Sequence, residues 1–225
     1  MNESQGAYRV PGIAARREAG LGFLARWCLA ALPLAFVPAL VGLALGQLAD
    51  SQAHWAITDW LDSHRRGFAT SLHVMALALQ GLAQWLVLRA YLPRFQHWIL
   101  IAILAGLTQI LVYELVGLRG PGWLIGMVAH GAIQWLALRG RLRGAAIWIP
   151  ATTAGLYLAA LANVWLNQSL FELVRDSTAP NTLWTAGLAA GTGHALVYGL
   201  ITGAAMRWLL RRDPADPAPN AGVIG

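Results

Sequence analysis

Six windows of the chain are almost wholly apolar, and each is bounded by clusters of arginine, glycine or proline. They run from Trp27 to Ala49, Gly67 to Leu92, Trp98 to Leu118, Gly122 to Leu138, Ala145 to Leu166 and Leu183 to Leu210. About twenty apolar residues carry an α-helix across the roughly 30 Å hydrocarbon layer, where unpaired backbone groups cannot persist. The pattern predicts six transmembrane helices. The fourth is short, and Arg139 and Arg141 can snorkel to extend it by a turn. Pro33 and Pro38 predict kinks in the first. The apolar run after Arg26 is longer than the h-region of a signal peptide, which predicts an uncleaved first helix. Between the first two windows Ala53, Ala56, Ile57, Trp60 and Leu61 recur at helical spacing, with His54, Asp59, Asp62 and His64 between them. That stretch predicts an amphipathic helix lying on the membrane surface. Asp59, Asp62 and His64 match no established metal-ligand spacing.

Composition agrees with this reading. Hydrophobic residues make up 57% of the 225 residues and charged residues 12%, against about 25% charged in ordinary soluble domains. Mean hydropathy is +0.53, more apolar material than one core of this size can hide. A disordered chain, a collagenous chain and a disulfide scaffold are excluded. The net charge of +6 would suggest nucleic acid in a soluble protein, but here the cations fall at helix ends. All sixteen are arginine. Twelve of them (9, 16, 17, 26, 89, 94, 139, 141, 143, 207, 211 and 212) fall on one predicted face and four (65, 66, 119 and 175) on the other. Basic short loops stay in the cytoplasm, so both termini are predicted to be cytoplasmic. The domain organisation is then a cytoplasmic segment 1–20, a membrane domain 21–212 and a disordered cytoplasmic tail 213–225. Trp55, Trp60, Trp123 and Trp184 on one side, with Trp27, Trp98, Trp148 and Trp208 on the other, read as an aromatic belt.

The chain repeats itself. Gly81-Leu-Ala-Gln-Trp-Leu-Val-Leu-Arg89 aligns with Gly131-Ala-Ile-Gln-Trp-Leu-Ala-Leu-Arg139 and more distantly with Gly199-Leu-Ile-Thr-Gly-Ala-Ala-Met-Arg207. The odd-numbered helices align on Gly42, Gly106 and Gly155, followed eight residues later by Asp50, Glu114 and Asn163. Copies that start and return on the same side are parallel repeats about an axis along the membrane normal. The expected fold is therefore all-α, six transmembrane helices in three parallel hairpin repeats with a pseudo-threefold arrangement. These windows, with the Pro93-Arg94 turn and Trp98, resemble a repeat of uncharacterised bacterial multi-pass membrane proteins over roughly residues 76 to 212. The resemblance implies a six-helix repeat fold in a bacterial cytoplasmic membrane and no established activity. Thr202 and Gly203 depart from its Gln-Trp pair, and the second turn has Arg141 and Arg143 without the proline.

Each repeat places two polar side chains four residues apart, on one helix face: Gln80 with Gln84, His130 with Gln134, and Tyr198 with Thr202. His194 extends the third stripe. Two explanations compete. They either hydrogen-bond between helices beside close-packing glycines, or line a path or solute site along the axis. Glu114 and His73 are a candidate proton or ion pair, against a carboxylate that simply reaches interfacial water or an arginine. Arg89, Arg139 and Arg207 recur at the boundary as candidate anchors for lipid phosphate. No nucleophile-base arrangement, Walker sequence or zinc motif is present, and Cys28 has no companion. The expectation is a non-enzyme without metal or cofactor, whose partners are the bilayer, anionic headgroups and either a membrane protein or a second copy. A solute or ion route and an accessory subunit remain as the alternatives for its role.

Overall fold

The structure, a computed structural model, describes residues 19–49, 54–93, 95–116, 121–175 and 182–212. They form α1 (Leu21–Ala31), α2 (Pro33–Ala49), α3 (His54–Leu88), α4 (Trp98–Val116), α5 (Pro121–Leu138), a 3-10 turn (Ala145–Ile147), α6 (Trp148–Val174) and α7 (Thr182–Arg212). No strand occurs among the described residues. Helix α1 passes into α2 through Leu32, which keeps a right-handed helical conformation (φ −58°, ψ −30°). Pro33 has no N–H to donate to Leu29. The Leu32 N–H turns to that carbonyl instead, at 3.2 Å.

Four helical stretches are long and apolar enough to cross a membrane: Leu21–Val41, Thr70–Leu88, Ala145–Leu173 and Thr185–Arg212. Trp98–Tyr113 and Gly122–Leu138 are shorter apolar helices. Leucines at helical spacing face outward, among them Leu79, Leu82 and Leu86 on α3 and Leu100, Leu104, Leu107, Leu111 and Leu115 on α4. Apolar stripes of that extent are foreign to the surface of a water-soluble monomer.

The segment 54–66 is not a separate surface helix. It continues without a break into α3, a helix of 35 residues. The only potential breaker at the expected boundary is Gly67, and one glycine costs a helix about 1 kcal/mol, too little to end it. The Ser71 hydroxyl donates to the Gly67 carbonyl at 2.9 Å across that point. The first helix likewise begins at Leu21, ahead of Trp27, and α6 runs to Val174, past Leu166. Residues 1–18, Asp50, Arg119 and the tail 213–225 lie outside the described residues.

Each helix packs against its neighbours in the chain, and α7 packs against α1 and α2, which closes a ring. Ala19, Phe23, Leu88, Leu92, Leu138, Leu142, Met206, Leu209 and Leu210 share one buried cluster. The start of α1, the end of α7 and the turns 89–97 and 139–147 therefore meet at one end of the bundle, the turn end.

Glycines set the closest approaches. A Cβ at Gly81 would stand 3.2 Å from Ile99 Cα, one at Gly131 3.2 Å from Ile149 Cα, and one at Gly199 2.9 Å from Cys28 Cα. Ile99, Ile149 and Cys28 each directly follow a tryptophan. The register of the odd helices is thus set by Trp27, Trp98 and Trp148, and it pairs Gly106 with Ala35 and Leu156 rather than with Gly42 and Gly155.

Gly199→Val should lower the melting temperature in detergent by several degrees, since backbone must move to admit the side chain. Gly187, where a Cβ would meet nothing within 4 Å, is the control: Gly187→Ala should be neutral or stabilise by up to about 1 kcal/mol. Equal effects at the two sites would contradict this packing.

Candidate functional site

The polar stripes meet inside the bundle at a triangle of tryptophans. Trp27, Trp98 and Trp148 are fully buried, with ring centroids 6.5, 6.2 and 6.1 Å apart. That spacing is favourable for aromatic pairs and worth about 0.5–1.5 kcal/mol each beyond burial. Three of the four tryptophans expected as an aromatic belt at this end are therefore core residues. Trp208, 42% exposed, is the one that stays at the surface. An indole can bury its rings fully only where its N–H finds an acceptor, and each of the three does.

Trp98 Nε1–H donates to Gln84 Oε1 at 3.0 Å. Trp148 Nε1–H donates to Gln134 Oε1 at 2.8 Å, and Trp27 Nε1–H to Thr202 Oγ1 at 3.0 Å. These bonds tie α3 to α4, α5 to α6, and α7 back to α1. Indole is a donor only, so the amide orientation of both glutamines is forced by chemistry. The Gln134 NH2 group is left to donate, and it reaches His130 Nε2 at 3.2 Å and the Tyr198 hydroxyl. Thr202 completes its own set by donating to the Tyr198 carbonyl at 2.7 Å.

An imidazole that accepts at Nε2 carries its proton on Nδ1. His130 Nδ1 is buried and has no partner, and neither has Thr152 Oγ1. A buried donor without an acceptor costs about 1–3 kcal/mol, and among the described residues these two atoms are the buried side-chain groups left without a partner. Gln80 and Tyr198 are buried at positions matching His130. His194 is half-buried and His73 exposed, and His73 lies within electrostatic range of both His130 and His194. The histidines do not form a metal cage: among the described residues no group of three or more His, Cys, Asp or Glu is placed to hold an ion. The Glu114 side chain lies outside the described residues, so no pair with His73 is drawn. Those of Asp59 and Asp62 lie outside as well, while His64 bonds its neighbour Ser63 at 2.9 Å.

The three boundary arginines do different things. Arg89 lies over the Trp85 ring at 5.8 Å and Arg139 over Trp135 at 5.6 Å. Arg207 instead donates Nε–H to the Ala19 carbonyl at 3.0 Å and fastens the start of α1 to the end of α7. Reading along the sequence missed the tryptophan triangle. Its signal was present as spacing: Trp98 and Trp148 each follow their glutamine by fourteen residues, in both of the well-matched repeats.

No family model, curated protein or solved structure matches the chain. The arrangement therefore has to be read from its own chemistry.

Trp98→Phe and Gln84→Leu, singly and together, measure the central bond. Each single change should destabilise by about 1 kcal/mol, with a coupling of about 0.6–1.7 kcal/mol, the range for hydrogen bonds between membrane helices. Additive effects in denaturant titrations would mean that the bond contributes nothing.

Proposed function

We propose that the chain is a polytopic protein of a bacterial cytoplasmic membrane, built from three parallel hairpin repeats around a pseudo-threefold axis, and that it serves as a non-catalytic structural or accessory component rather than as a route through the bilayer. The observation that carries the reading is the tryptophan triangle. The amides that would have to line a path spend their hydrogen bonds on buried indoles, and the axis at the turn end is filled by Trp27, Trp98 and Trp148, packed in one buried cluster with Leu88, Leu138 and Met206. Water and ions have no polar surface to follow there.

Six crossings are supported by the four long apolar stretches together with α4 and α5. At about 1.5 Å per residue, the nineteen residues of α4 and eighteen of α5 reach about 28 and 27 Å, close to the hydrocarbon thickness. The repeat is supported by the same glycine approach and the same indole bond at each of three positions. A cytoplasmic turn end is supported by its arginines, Arg26, Arg89, Arg139, Arg141, Arg143, Arg207, Arg211 and Arg212, under the positive-inside rule.

A second reading draws on His130. Its unpaired Nδ1–H, with His73 and His194 nearby, suits a small hydrogen-bond acceptor that enters from the opposite end and stops at the tryptophans.

Liposomes containing the full chain test both. Proton, potassium and glycerol permeation should equal that of protein-free vesicles, and a protein-dependent flux abolished by Gln134→Leu would overturn the structural reading. Saturable binding of a small neutral solute, lost in His130→Leu while the fold is retained, would establish the second. For topology, Gly140→Cys and Ser63→Cys in a Cys28→Ala background should react with an impermeant maleimide from opposite sides. Labelling of both from one side would refute the hairpin arrangement.

A further inference from the structure

We propose that the connection between α5 and α6 holds one anionic phospholipid, its phosphate in an arginine cleft at the turn end and an acyl chain in an adjoining groove between the two helices. This rests on the membrane reading above and adds to it a defined ligand, at a site that the sequence pattern of Arg89, Arg139 and Arg207 does not delineate.

The cleft, of about 380 Å³, is lined by Arg139, Arg141, Arg143 and the backbone around Gly144. All three arginines are exposed. Two are held in place by aromatic rings: Arg139 over Trp135, and Arg141 over Phe95 at 4.8 Å. The turn from Leu138 to Trp148 contains no carboxylate, so no acid of the turn itself neutralises them. Guanidinium groups fixed by stacking and lacking an acid partner are suited to phosphate oxygens, which they bind in bidentate fashion. Gly144, at φ +73°, lets the chain turn tightly where a side chain would be strained.

The groove, of about 650 Å³, is almost entirely apolar and is lined by Leu124, Val128, Ile149, Pro150, Thr153 and Tyr157, with Ala154 at its wall. Its lining residues lie on helix faces that lead back to the cleft. Ala146 of the cleft, then Pro150, Thr153 and Tyr157, recur every three or four residues, and on α5 Trp135 of the cleft shares a helix face with Val128 and Leu124. One stripe on each helix thus runs from the cations into the groove. A soluble phosphate would use only the first half of this surface. A molecule with a phosphate and a long chain uses both. The turn joining α3 to α4 lacks the equivalent: Tyr91 and Pro93 stand where the turn joining α5 to α6 has Arg141 and Arg143.

The test is native mass spectrometry of the full chain in mixed micelles of dioleoyl phosphatidylglycerol and dioleoyl phosphatidylcholine. The wild type should retain one phosphatidylglycerol in preference to phosphatidylcholine. Combined Arg139→Gln, Arg141→Gln and Arg143→Gln should weaken retention at least tenfold. The charge-matched control Arg26→Gln, Arg211→Gln and Arg212→Gln should change it by less than twofold. Ala154→Trp, which fills the groove without touching a cation, should give a similar loss for the dioleoyl lipid. Arg143→Gln alone, at an exposed position, keeps the test valid should the triple variant not fold, with a several-fold loss expected. Equal losses in both triple variants, or no loss in any cleft variant, would overturn the site. So would displacement by millimolar inorganic phosphate, which would assign the cleft to a soluble anion. Failure of the chain to resist carbonate extraction from membranes would instead defeat the membrane reading itself, so the two failures are separable.

Discussion

A tryptophan indole buried away from water has to find an acceptor, and in hydrocarbon it has to find one on protein. Three such indoles in one cluster of the bundle, two from the first residues of α4 and α6 and one from within α1, impose most of what is built around them. Each needs an oxygen at its own height on a neighbouring helix. Gln84, Gln134 and Thr202 supply it. Once an amide oxygen is committed to an indole, its NH2 group has to point the other way, and a second polar layer of His130 and Tyr198 follows from the first. Glycine at the position three before each acceptor lets the helices come close enough for the bond to form. The interaction and the packing are thus one requirement, met three times.

The third occurrence clarifies the departure in the sequence. Thr202 and Gly203 replace a glutamine and a tryptophan, and along the chain they read as a decayed repeat. In the bundle the two changes compensate each other. A Cβ at Gly203 would stand 2.8 Å from both Trp27 Cδ1 and Leu24 Cδ1, so the missing side chain is what lets α1 sit near α7. With the helices that close, a short hydroxyl spans the distance that a long amide covers elsewhere. Phe23, stacked on Trp27 at 5.7 Å, and Arg207, bonded to Ala19, then fix α1 at the seam where the ring closes.

How far the sequence could be read depended on whether a property was local. Helix positions were legible because hydropathy is local and the bilayer sets a length. The interior position of Gln80, Gln84, His130, Gln134, Tyr198 and Thr202 was legible because polar groups in apolar helices have to turn inward, and all six are buried. The tryptophans were misassigned because a boundary tryptophan and a core tryptophan occupy the same place in the chain. They differ only in the partner that another helix brings. The odd-helix alignment slipped for a related reason: glycines are frequent enough in such helices to align by chance, and only the tryptophan contacts fix which residues are equivalent to Gly106. Gly67 looked like a boundary, yet the helix formers on both sides of it outweighed one glycine.

The absence of lysine also has a structural reading. At the turn end guanidinium groups lie over Trp85, Trp135, Phe95 and Trp208, at 5.8, 5.6, 4.8 and 4.7 Å. A planar, weakly hydrated guanidinium stacks on such rings and still presents N–H groups at its edge, whereas an ammonium is a compact charge that holds its water more strongly. Stacking fixes the arginine stems against the bundle, so little side-chain entropy remains to be lost when the edge meets an anion. Repulsion among so many cations would destabilise a protein surrounded by water and counter-ions alone. Against the negative potential of an anionic lipid surface such cations are favourable, each by about 1 kcal/mol. A basic end made only of arginine, half of it stacked on aromatic rings, is therefore a surface whose chemistry suits phosphate oxygens.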